Sequence, residues 1–101
     1  MTDRAQAIPT VQSENAWARV TRWDFPPHSE TGFHRHEFDY VVVPITNGQL
    51  RLEGPAVDGG KPEVTHGDLE IGVSYERSRG VEHNVINDND FRIAFVEIER
   101  L

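Results

Sequence analysis

The chain has no cysteine in its 101 residues. That excludes a disulfide framework, a thiolate metal ligand and a cysteine nucleophile. Lys61 is the only lysine, and no run of Lys or Arg exists that could form a basic stripe. With 10 basic against 17 acidic residues the formal net charge is -7, which counts against nucleic acid and anionic membrane surfaces as partners. Long apolar runs are missing as well. No segment approaches the length of a membrane span, and no leader-like apolar region stands near Met1. The expectation is a soluble cytoplasmic protein without a nucleic-acid or membrane partner.

Helical periodicity is also absent, and what replaces it is alternation. Short strand-like stretches cover Trp17 to Phe25, Phe33 to Ile45, Gln49 to Glu53, Val64 to His66, Leu69 to Ile71, Val73 to Arg77, Glu82 to Asn87 and Phe91 to Glu99. Between them lie turn signals: Pro26-Pro27, Asn47-Gly48 read as a hairpin, Asp58-Gly59-Gly60, Gly67-Asp68, Gly80 and the polar run Asn87-Asp88-Asn89-Asp90. Roughly eight or nine short strands with frequent turns predict an all-β antiparallel sandwich or barrel. Pro44, inside the Val41-Val42-Val43 run, fits only an edge position or a bulge. Residues 1–15 are polar and read as an irregular arm, either a frayed terminus or a strand lent to a partner subunit. Residues 16–101 form the barrel domain, and the length allows one core.

The chemistry concentrates in three histidines. His34 and His36 stand two apart on a strand and therefore share a face. His83 lies on a distant strand, and a closed β-structure is what would bring it to them. Three imidazoles converging inside a barrel make a transition-metal site with open positions. Parity places Phe38, Tyr40 and Val42 on the histidine face, and Arg35, Glu37 and Asp39 on the other. The acidic residues as a group read as solvated surface, so no Asp or Glu is assigned to the histidine face as a general base.

Gly32-Phe33-His34-Arg35-His36, followed by Tyr40 and Gly48, resembles the first motif of the cupin family. Gly72, Ser78, Gly80, His83 and Asn87, at their spacing, resemble the second. Together the motifs span over half the chain. The stretches HEFDYVVVP, GVEHNVIN and FVEIE also resemble a narrower set of small cupins, the β-alanine degradation proteins. The resemblance implies a single-domain jelly-roll β-barrel (an RmlC-like double-stranded β-helix), commonly dimeric, with His34, His36 and His83 at metal-ligand positions. It implies a metal held inside, expected as one divalent transition ion per chain, and imidazole ligands are compatible with iron, manganese, nickel, zinc or copper. Two residues depart from the family pattern. Tyr40 stands where a Glu ligand is usual, and Ser78 replaces a turn proline.

Several residues carry more than one reading. Tyr40 is a barrel-lining aromatic whose hydroxyl meets a metal-bound water, a direct phenolate ligand, or core packing. Tyr75 and Arg77 are a packed Tyr with an exposed Arg, or one of them faces inward toward a substrate carboxylate. His28 lies near the barrel mouth as a pocket residue if the arm folds back, and His66 sits in an exposed turn. Trp17 and Trp23 belong to the core or a dimer interface, with a stacking platform as the alternative. The function follows the same division. One reading is a metal-dependent, oxygenase-type enzyme acting on a small carboxylate-bearing metabolite. The alternative is a non-catalytic, metal-anchored binder or sensor of a small molecule; a metal that only staples the barrel fits less well, since three protein ligands leave positions open. A homodimer is expected.

The site assignment predicts that His34→Ala, His36→Ala and His83→Ala each lose most of the bound metal, while His66→Ala keeps it. Metal content after dialysis against a weak chelator measures this, and full occupancy in His83→Ala would reject the assignment.

Overall fold

Alternating apolar residues in short runs bury best when two sheets close on each other, and the chain does this. The computed structural model describes residues 4–56 and 59–101, and among these there is no helix. The strands are β1 (Ala5–Gln6), β2 (Ile8–Glu14), β3 (Ala18–Phe25), β4 (Ser29–Glu30), β5 (His34–Arg35), β6 (Tyr40–Pro44), β7 (Gly48–Ala56), β8 (Pro62–Leu69), β9 (Tyr75–Arg77), β10 (Glu82–Asn87) and β11 (Ile93–Arg100). One sheet runs β1-β4-β10-β7-β8, with β5 also paired to β10, and the other runs β2-β3-β11-β6-β9. The all-β jelly-roll expectation is met.

The core fills the space between the sheets. Phe25, Val42, Ile93 and Phe95 come from one sheet, and Leu50, Leu69 and Val85 from the other. Phe25 and Phe95 pack with ring centroids 5.4 Å apart. Along β6 the alternation is as expected, with Tyr40, Val42 and Pro44 buried and Val41 and Val43 half-buried. Pro44 is tolerated because β9 accompanies β6 only from Tyr40 to Val42. On that side nothing asks Pro44 for a backbone donor.

Three sequence expectations are corrected. Asn47-Gly48 is not a hairpin, because β6 and β7 belong to different sheets. The chain crosses between them, held to β11 as the amides of Ile45 and Thr46 donate to the Ala94 carbonyl at 3.0 and 3.2 Å. The Ala94 amide in turn donates to the Thr46 hydroxyl at 3.0 Å. Gly67-Asp68 is likewise no turn, since β8 runs through it, with Gly67 opposite Leu50 and close to the Leu52 side chain. Gly59 does take a left-handed φ of 72° in the β7–β8 connection; Asp58 of that expected turn lies outside the described residues. Finally, the N-terminal segment is not irregular. β1 pairs in parallel with β4 and β2 antiparallel with β3, and Ala7 is buried where the segment passes from one sheet to the other. Every residue of β2 is exposed, so backbone pairing rather than side-chain burial orders it, which is why the polar sequence carried no strand signal.

Asn87 closes the end of the barrel. Its side-chain amide, fully buried, donates to the carbonyls of Phe25, Pro26 and Phe91 at 3.0, 3.1 and 2.9 Å. Its carbonyl oxygen accepts from the Asn89 amide at 3.0 Å. Asn87→Ala strips donors from buried carbonyls, so it should lower unfolding free energy by about 2 to 3 kcal/mol. Urea denaturation measures the loss, and a change below about 0.5 kcal/mol would mean that water replaces the amide.

Candidate metal centre

The pairing of β5 with β10 builds the site. Its register sets His83 directly opposite His34, and opposite residues on neighbouring strands share a face. Beyond β5 the contact continues, with the His36 amide donating to the Val81 carbonyl at 2.9 Å and the Gly80 amide to the His36 carbonyl at 2.7 Å. His36 thus keeps the facing of His34. The three rings stand at the corners of a near-equilateral triangle, with centroid separations of 4.8, 4.8 and 5.0 Å. The Nε2 atoms of His34 and His36 are 3.0 Å apart, as are those of His36 and His83.

The environment sets these nitrogens up as donors. The Nδ1 of His34 lies 2.9 Å from the Gly32 carbonyl, which can only accept, so Nδ1 carries the proton and Nε2 a free lone pair. Gly32 presents that carbonyl from a left-handed backbone with φ of 88°, where a side chain is disfavoured. Burial lowers the pKa of His36 to about 4, helped by the neighbouring His34. Burial lowers that of His83 to about 3, with His34, His36 and Arg77 adding to it. Both are neutral at physiological pH. Neutral imidazoles converging at this spacing are a chemically suitable donor set for a divalent metal, and these three residues could hold one.

Tyr40 is buried and its ring stacks on His36, with centroids 4.0 Å apart and planes 19° from parallel. Burial first, then the neighbouring Glu97, pushes its phenol well above the ordinary range. In the metal-free protein it keeps its proton, and its ring packs against that of His36. Tyr75 and Arg77 both stand on the inner row, opposite Val42 and Tyr40 in the ladder. The Arg77 guanidinium lies 5.7 Å from the Tyr75 ring centroid. His28 does not join them. It sits in an exposed turn with φ of 57° and bonds Asp90 at 2.8 Å, at the end of β10 remote from His83. The left-handed turn after Pro26-Pro27 directs it to the Asp88–Asp90 loop instead of the barrel mouth. His66 is exposed, on β8.

The structure adds a residue that the sequence reading left on the surface. Glu97 is only 9% exposed, and burial first, then Glu99, raises its pKa from 4.5 to about 7. Strand alternation would have found it, since Ile93 and Phe95 point inward and Glu97 continues their row. It lines two cavities. The outer one, about 370 Å³, also touches His34, His36, Arg19 and Trp23. The inner one, about 30 Å³, also touches His83, Tyr40, Tyr75 and Arg77. Trp23 is therefore a wall of the site, whereas Trp17 is 70% exposed on the outside.

Comparison with known proteins agrees with this architecture. No family model matches the chain. It is 52% identical over 99 residues to the β-alanine degradation protein BauB of Pseudomonas aeruginosa, covering 98% of each chain. It is also 52% identical to a cupin domain of Bordetella pertussis, with a TM-score of 0.89 and coverage of 100% of this chain and 99% of that one. A double-stranded β-helix protein of Klebsiella pneumoniae, 22% identical, shares the fold at a TM-score of 0.72, over 99% of this chain and 81% of that one. The chain belongs to the cupin family.

Opposing titrations follow from the site's burial. Unfolded His residues bind protons below about 6.5, whereas folded His36 and His83 resist down to about 4 and about 3. The metal-free protein therefore loses stability as pH falls through that window. Glu97 acts in the other direction, because its folded value of about 7 exceeds the ordinary 4.5. It favours the fold at low pH and loses that contribution as pH rises through 7. Glu97→Gln should therefore gain about 2 to 3 kcal/mol on the parent between pH 4.5 and pH 8. Urea titrations in chelator at both pH values measure the gain, and a pH-independent difference would show a solvated carboxylate.

Proposed function

We propose that this chain is a metal-dependent, oxygenase-type cupin enzyme acting on a small carboxylate-bearing metabolite, working in the cytoplasm as a homodimer. The observation that carries the reading is the 3.0 Å spacing of the Nε2 atoms. Two donors on one ion at ~2.0–2.1 Å stand about 2.9 Å apart at right angles and about 3.4 Å apart in a tetrahedron. The spacing lets neighbouring donors share one ion, and imidazole suits iron, manganese, nickel, zinc and copper. Three protein donors then leave open positions for substrate.

A redox-active ion in such a place, when bound, supplies both an acceptor for anionic oxygens and a centre for oxygen chemistry. The chain's own residues do the rest. Neutral imidazoles leave the ion its full charge, which favours an anionic ligand. The outer cavity of about 370 Å³ is of a size for a small metabolite. Arg35 lines it, and a guanidinium is the better fork for a carboxylate. The relative named for β-alanine degradation supports a substrate of that size and charge. Dimerisation is supported by the exposed edge strand β2 and by exposed Trp17 beside an open groove floored by Val41 and Ile98.

Anaerobic purification followed by metal analysis and oxygen-electrode assays with small carboxylic acids tests the reading. About one redox-active ion per chain and oxygen uptake that depends on the acid are expected. A redox-silent ion with acid-dependent thermal stabilisation and no oxygen uptake would replace the enzyme with a metal-anchored binder.

A further inference from the structure

We propose that Glu97 contacts the ligand of the three-histidine site and selects small acids that carry a hydroxyl or ammonium group a few bonds from their carboxylate. The inference rests on the proposed binding of a carboxylate at the histidines. Glu97 lines both cavities that flank them, the outer one with His34 and His36 and the inner one with His83. A molecule entering from the outer cavity toward the histidines therefore meets this carboxyl. Other carboxyls of the outer cavity are differently placed. Glu37 is exposed, and Glu99 is held by Arg19 at 3.4 Å. Among the described residues no cation pairs with Glu97, so its oxygens are free to accept.

The two ends of the site then ask for opposite chemistry. The histidine end draws an anionic oxygen. The Glu97 end accepts a hydrogen bond, and an acceptor that a ligand shuts off from water without supplying a donor is expensive. A plain alkanoate would satisfy the first end and strand the second. A hydroxy acid or an amino acid of similar size satisfies both, and a site built around a polar partner rejects the analogue lacking it. The inner cavity of about 30 Å³ has space for about one water, so the ligand itself sits in the outer cavity of about 370 Å³.

Cobalt(II)-loaded full-length protein gives a visible spectrum that reports ligand binding at the ion. Propanoate, 3-hydroxypropanoate and β-alanine are titrated against it as a matched set: no donor, a hydroxyl, an ammonium. At least one donor-bearing acid is expected to bind on the order of tenfold or more tighter than propanoate. Glu97→Met should abolish that preference with cobalt still bound, and propanoate should bind more tightly than to the parent because no acceptor is left without a donor. Glu97→Gln, which keeps shape and an acceptor, should lose preference for the ammonium and retain it for the hydroxyl. Equal binding of all three acids to the parent protein would overturn the role of Glu97 and leave the carboxylate site standing. If no acid perturbs the spectrum, the carboxylate reading fails, and this inference with it. Cobalt loss in both Glu97 variants would instead make Glu97 a metal ligand and reject the assignment to ligand selection.

Discussion

The site depends on the register of β5 against β10. His34 and His83 are ladder partners, so their rings meet because two backbones pair at that residue. A slip of one residue would turn His83 to the opposite face and separate it from His34 and His36. Redundant contacts hold the register. β10 also pairs with β4 and β7, the Gly80 and His36 amides continue the contact past β5, and Asn87 anchors the far end of β10 to the ends of β3 and β11. The β-strands between the two sheets thus do for this centre what a dedicated loop would do less accurately.

Enclosure then decides protonation, with opposite effects on the two kinds of group. Removing water penalises the charged form of each. For His36 and His83 this keeps lone pairs available at neutral pH. For Glu97 it favours the neutral acid up to about pH 7. Burial around the site therefore gives the metal-free protein both neutral donors and a carboxyl with a pKa of about 7. Tyr40 is drawn into the same balance, since burial and the nearby Glu97 both keep its proton in place.

Much of this was legible in the sequence where side chains alternate. Spacing of His34 and His36, and the parity that carried Tyr40 and Val42 inward, needed only the period of a strand. His83 needed the second motif. What stayed hidden was carried by the backbone or by a broken rule of polarity. β2 is held by ladder bonds to β3, and its exposed side chains leave no hydrophobic pattern to read. Ile45 and Thr46 bond to Ala94, which turns the Asn47-Gly48 signal into a crossing between sheets. Glu97 escapes a reading by polarity, which puts acidic residues in solvent, although its strand carries Ile93 and Phe95 inside.

The position of Glu97 bears on the substitution at Tyr40. The cupin pattern usually sets a carboxylate on the strand that follows the histidine pair, and here a phenol stacked on His36 occupies that position. A carboxyl is still present in the interior, but it comes from β11, and among the described residues the cluster of convergent metal-binding groups contains only the three histidines. Moving the carboxyl from the donor set to the cavity wall changes its physics. As a donor it would neutralise part of the ion's charge and weaken the draw on an incoming anion. On the wall it would leave the charge of an ion held by the three imidazoles intact. Tyr40 and Glu97 are thus two parts of one arrangement: a phenol packed on His36 stands at the usual carboxylate position, and a carboxyl lies in the wall of both flanking cavities.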